Sequence, residues 1–183
     1  MRTGSRDFSF SFTASGARRT LLALALFPAV AGHPALAGGA VARFLSPVDS
    51  FLAAATNDAI ATAEIELAKP RCEQVFSDFR NPSGVPLRVA LDALGVTGGL
   101  YLRRLRFVNG ERLSFCSSGA LAGTKPGSQI IFLCGLRFAA AQRANPRLGA
   151  AVVIHEELHS LGLSENPPTS QEITAGVLAR CGS

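Results

Sequence analysis

Apolar positions recur at helical spacing over two long stretches of the chain and alternate with polar ones over a shorter stretch between them. In residues 41–68, Val48, Phe51, Leu52, Ala55, Ile60, Ala63 and Leu67 repeat every three or four positions, which predicts a helix with one buried face. Ser46-Pro47 starts its stronger part and Pro70 ends it. A second short helix is expected over 72–79, with Val75, Phe76 and Phe79 inward, and a third over 86–94, stopped at Gly95. Asn81-Pro82-Ser83-Gly84 between them reads as a turn. Glu64, Glu66 and Asp78 are expected to be solvated.

From 101 to 108 the pattern changes. Leu102, Leu105 and Phe107 alternate with Arg103, Arg104 and Arg106, which predicts a strand with a solvated basic face. Asn109-Gly110 is a hairpin signal, and Leu113 and Phe115 continue as the return strand. Residues 129–134 (Gln-Ile-Ile-Phe-Leu-Cys) read as a third strand, apolar enough to be buried on both faces. The expectation is a three-stranded antiparallel sheet. Helical periodicity returns after Asn145-Pro146, a helix cap followed by a first-turn proline. Leu148, Ala151, Val152, Leu158 and Leu161 form the apolar stripe and Gly162 marks the stop. A final helix over 170–180 begins with a capping box, Thr169-x-x-Glu172.

The first 37 residues belong to a different class. Arg2, Arg6, Arg18 and Arg19 precede an apolar run over 21–31, too short to span a bilayer, and Ala35-Leu36-Ala37 fits a small-residue cleavage site. Residues 1–37 therefore read as a signal peptide, 38–183 as one exported domain, periplasmic or extracellular, with no membrane contact after cleavage. Four of the 18 basic and one of the 13 acidic residues lie in the signal; the rest of the chain keeps 14 and 12, a net +2 in place of +5. The basic charge thus gives no argument for a nucleic-acid partner. All four cysteines lie beyond the signal, which in an oxidising compartment implies two disulfides. Of three possible pairings, Cys116–Cys134 and Cys72–Cys181 are preferred.

The chemistry concentrates in one helix. His155-Glu156-Glu157-Leu158-His159 carries His-Glu-x-x-His. Residues four apart share a helix face, so two imidazoles can meet one metal ion, and Glu156 beside the first can take a proton from metal-bound water. These are two of three histidines in the chain, and the third, His33, lies in the signal. A third ligand is then expected to be a carboxylate, Glu165 just past the Gly162 turn or Glu172 on the final helix, ahead of Tyr101 or a free cysteine. Both also have plain structural roles open to them, Glu165 as a hydrated loop residue and Glu172 in its capping box. Glu157 is expected to face solvent. Tyr101, the sole tyrosine, is expected in the core, with oxyanion stabilisation as the alternative.

His155-Glu156-x-x-His159-Ser160-Leu161-Gly162-Leu163-x-Glu165 resembles the zinc signature of metzincin metalloproteases, His-Glu-x-x-His-x-x-Gly-x-x-His or Asp, and its middle is similar to that of matrixins. The resemblance covers about a dozen residues. It implies zinc held by His155, His159 and Glu165, with Glu156 as general base and Gly162 as the turn. Metzincins place a methionine turn beneath the metal, whereas the one methionine here is Met1. The related gluzincins draw their third ligand from a later helix, which would suit Glu172. The fold implied is a small α+β zincin-like domain: N-terminal helices, the sheet, the motif helix and a C-terminal helix. The function implied is a secreted zinc metallopeptidase acting on a peptide or protein substrate. The alternative is a disulfide-stapled exported binding domain with a structural or inactive zinc site.

Overall fold

The computed structural model describes residues 50–182, which fall in one compact unit. The expected signal peptide, and the part of the first helix before Ser50, lie outside them. The elements run α1 (Ser50–Leu67), α2 (Pro70–Glu73), α3 (Val75–Asp78), α4 (Arg88–Leu94), α5 (Gly98–Leu102), β1 (Arg106–Asn109), α6 (Ser114–Ser117), β2 (Ala122–Gly123), β3 (Ile130–Leu133), α7 (Gly135–Ala144), α8 (Pro146–Ser160) and α9 (Ser170–Cys181). The class is α+β, dominated by helix, with a small three-stranded sheet.

The motif helix α8 is the axis of the core. It packs against α1, α7 and α9 and against β2. Every residue from Gly149 to Ser160 is buried, as expected for a helix enclosed on all sides. Its neighbours α1 and α9 contribute one face each, through Leu52, Ala59, Ile60 and Ala63 and through Ile173 and Val177. The caps form as the sequence predicts: the Asn145 side chain accepts from the Leu148 amide, and Thr169 and Glu172 complete a reciprocal capping box on α9. Gly95 ends α4 at φ 65°, a left-handed position suited to glycine.

The sheet departs from expectation. Its order is β1-β3-β2; β1 runs parallel to β3, and only β2 with β3 is antiparallel. The apparent strand over 101–105 is instead the helix α5 and its exit. The Thr97 side chain caps α5 by accepting from the Leu100 amide. Tyr101, Leu102 and Leu105 are buried from there, a spacing that serves a helical turn as well as an alternating strand. Asn109-Gly110 does not reverse the chain. The Asn109 side chain accepts from the Glu111 amide, and the Gly110 amide bonds to the Leu133 carbonyl, carrying the parallel ladder one residue on. A Cβ at Gly110 would stand 2.8 Å from that of Phe132, so glycine serves close approach here. A parallel pair needs a long crossover; α6 and β2 lie within it, and α6 takes the place of the expected return strand.

Two further expectations are corrected, and one helix is added. β3 is not buried on both faces: Ile131 and Leu133 point into the core, and Ile130 and Phe132 are half-buried. The helix α7 is an addition to the expected elements, and its start carries no capping side chain, Cys134 making no side-chain bond to the first turn. Glu64, Glu66 and Asp78 are not simply solvated. Glu64 takes two hydrogen bonds from Arg103, Glu66 pairs with Lys69 and Asp78 with Arg180. Arg103 is thereby drawn out of the basic face, and Arg104 and Arg106 remain exposed.

Both preferred disulfides form. Cys72–Cys181 ties α2 to the end of α9. Cys116–Cys134 joins α6 to the residue after β3, a helix-to-strand link where one between adjacent strands was expected. Two disulfides and no free cysteine among the described residues fit an oxidising compartment. No helix among the described residues is long and apolar enough to cross a membrane.

Candidate metal centre

Gly162 shapes the site. At the end of α8 the Gly162 amide bonds to the His159 carbonyl and the Leu163 amide to the Leu158 carbonyl, a Schellman motif. Gly162 sits at φ 105°, and Leu158 and Leu163 are both fully buried beneath the turn. The turn does two things for the site. It brings the Leu163 carbonyl to 2.8 Å from His159 Nδ1, and it swings the following loop back so that Glu165 reaches both imidazoles.

The three side chains converge through single atoms. Nε2 of His155 and of His159 are 3.0 Å apart. Glu165 Oε1 lies 3.3 Å from the second and 3.6 Å from the first. Ligand atoms about 2.0–2.1 Å from a tetrahedral ion stand about 3.3 Å from one another. The observed triangle brackets that value, so the group fits a small cation. The two imidazole side chains are 6 % exposed and Glu165 is 39 % exposed, which leaves the trio open on the glutamate's side. Among the described residues this is the cluster of three or more His, Cys, Asp or Glu side chains able to hold a metal ion; nothing in it selects one metal.

Both rings are oriented from behind. His159 is fixed by the Leu163 carbonyl, and His155 Nδ1 stands 2.9 Å from Thr174 Oγ1 on α9. Such outer hydrogen bonds set ring orientation and tautomer in metal sites. The Leu163 carbonyl follows from the glycine turn, but no sequence signal marks Thr174.

Electrostatics separate the two glutamates of the motif. Burial raises the Glu156 carboxyl to about 8, the Glu165 charge adds to this, and a hydrogen bond from the Thr124 amide opposes it. One Glu156 oxygen has no protein partner. Burial also drives His155 well below its ordinary value, helped by His159 and opposed by Glu165. Glu157 is not solvent-facing as expected. It is fully buried, neither of its oxygens has a partner, and burial followed by the Glu73 charge raises its pKa well above the usual range.

The other candidates lie elsewhere. Glu172 stays in its capping box, its carboxylate accepting from the Thr169 amide and hydroxyl, and does not join the trio. Tyr101 is a core residue, with its hydroxyl 3.4 Å from the Ser160 hydroxyl and carbonyl.

A cleft of about 530 Å³ reaches the centre, with His155 and Glu156 in its wall beside Leu121, Ala122, Leu148 and Val152. The edge strand β2 lies along it through Ala122, and the next residue is Thr124, whose backbone opposes the rise in the Glu156 pKa. No protein-family model, curated protein or solved structure matches the chain, so the reading of this centre rests on its own geometry.

Proposed function

We propose that the chain is an exported zinc-dependent metallopeptidase of zincin type, similar to metzincins in its signature. The observation that carries this reading is the triangle of His155 Nε2, His159 Nε2 and Glu165 Oε1 at 3.0, 3.3 and 3.6 Å, beside a buried carboxyl with one free oxygen. Two imidazoles and a carboxylate suit zinc, which leaves a position open in a three-ligand site. When bound, zinc supplies a Lewis acid that polarises a carbonyl and makes water more acidic.

The chain's own residues supply the rest. Glu156 is placed beside His155 on the cleft wall, the Thr124 backbone favours its charged form, and its Oε2, which has no protein partner, is the oxygen left for proton transfer. The nearby cation would lower its raised pKa towards neutrality, where a general base works best. An extended peptide can pair with the edge strand β2 and so lie across the Glu156 side of the site. Burial of Glu156 and His155 limits water around the proton being moved. The disulfides fit an exported protein.

A binding domain with a structural or inactive metal site is the competing reading. A closed four-ligand centre would favour it; three converging side chains beside an open cleft favour catalysis. The test is metal content after purification, followed by peptide cleavage by the wild type and by Glu156→Gln. The expected result is zinc retained in both and cleavage lost by at least about 100-fold in the variant. Zinc in both with equal cleavage, or with none, would support the binding domain.

A further inference from the structure

The two imidazoles are held from behind by partners of different kinds. The Leu163 carbonyl can only accept, so His159 Nδ1 carries a proton, and in the neutral ring its Nε2 presents a lone pair. His155 is backed by a hydroxyl, which can donate or accept.

That difference matters because the two Nε2 atoms are 3.0 Å apart. Two bare lone pairs repel at that distance unless something lies between them. Without a cation, His155 must carry its proton on Nε2 and donate it to His159. Its Nδ1 is then a lone pair that needs a donor. With a cation, both Nε2 lone pairs turn to the ion, the His155 proton sits on Nδ1, and Nδ1 needs an acceptor. Thr174 Oγ1, 2.9 Å away, satisfies both demands by rotating its O–H bond. A carbonyl or carboxylate there would serve only the second state.

We propose that Thr174 is a positioning residue whose hydroxyl reverses its hydrogen bond with His155, so that the site takes up and releases its cation without stranding Nδ1. The proposal rests on the metal reading of the site. His155 keeps one ring proton throughout: it gives the Nε2 proton to solvent and takes one from solvent at Nδ1.

The placement of Thr174 supports a dedicated role. Thr56 and Thr62 of α1 turn their hydroxyls back to the carbonyls of Leu52 and Asp58, four residues earlier, the usual bond for threonine within a helix. Thr174 is bonded across to α8 instead. The capping box fixes the start of α9, Cys181 anchors its end to α2, and buried Ile173 and Val177 set its rotation. The branched Cβ limits Thr174 to few rotamers.

The test compares wild type, Thr174→Val and Thr174→Ser, by zinc competition against a chromophoric chelator and by nitrogen-15 NMR of the histidine rings. Wild type is expected to show His155 protonated at Nε2 without zinc and at Nδ1 with it. His159 is expected to keep its proton on Nδ1 in both. Thr174→Val is expected to bind zinc about 10–100-fold more weakly, with the serine variant restoring affinity to near wild type. Equal zinc affinity in wild type and Thr174→Val, or one unchanged His155 tautomer, would overturn the role of Thr174 alone. Loss of affinity in the serine variant as great as in the valine variant would also overturn it. A wild type that binds no zinc would overturn both this role and the metal reading.

Discussion

Glu156 and Glu157 are adjacent in sequence and face opposite demands. Glu156 has an amide donor, the trio and a cleft. Glu157 has a fully buried carboxyl whose electrostatic neighbour is another acid, Glu73. Glu73 itself spends one oxygen on Arg88 and the Gly98 amide and leaves the other buried without a partner. A carboxyl in such a place keeps its proton. The consequence for stability has a definite sign. In the metal-free chain both motif acids are raised, so above their ordinary value of 4.5 the unfolded chain has released protons that the fold retains, and stability falls as pH rises. His155, lowered from 6.5, acts in the opposite direction up to about that pH. Between pH 6.5 and 8 only the acids remain, and the Tm of the metal-free protein is expected to fall. Glu157→Gln is expected to raise Tm at pH 8, change it little at pH 5 and flatten the slope, as read by thermal scans across that range. A loss of Tm at both pH values would contradict this. At this scale the sequence brought out His155, Glu156 and His159, because helical spacing fixes them locally, and left the third position open between Glu165 and Glu172. It did not show that Glu157 is buried, since that depends on α1, α7 and α9 closing around α8.

The helix α8 was legible as an element because its signals are local: a capping asparagine, a first-turn proline and a terminal glycine. The sheet was not, because parallel pairing of β1 with β3 is a long-range fact that an Asn-Gly dipeptide and an alternating run do not encode. The same alternation over 101–105 was consistent with a helical turn, and the Thr97 cap decided in favour of helix. The end of α8 carries the clearest prediction at this scale. A Cβ at Gly162 would meet nothing closer than 3.9 Å, so the cost of Gly162→Ala comes from its positive φ, at about 1–2 kcal/mol. The substitution is also expected to displace the Leu163 carbonyl and Glu165, so the zinc-loaded protein should lose more stability than the metal-free one. Denaturant unfolding with and without zinc checks this; equal losses in the two forms would separate the turn from the site.

At the scale of the whole fold, two disulfides fasten the described residues, α2 to α9 and α6 to the end of β3. Cys72–Cys181 spans 109 residues and Cys116–Cys134 spans 18, so chain entropy assigns about 4–5 kcal/mol to the first and about 3 kcal/mol to the second. Replacing each pair by alanine is expected to reproduce that order in denaturant unfolding, and the reverse order would contradict it. The longer bridge also anchors α9, the helix that carries Thr174, so a fold-wide constraint bears on the candidate metal centre. All of this organisation serves one claim: that His155, His159 and Glu165 together hold one metal ion. The most direct measurement is zinc stoichiometry and affinity in the purified protein, set beside Glu165→Gln and Glu172→Gln. The expected result is one zinc per chain, bound at least about 10-fold more weakly after Glu165→Gln and with unchanged affinity after Glu172→Gln. No zinc in the wild type, or zinc affinity that falls with Glu172 and not with Glu165, would contradict the account.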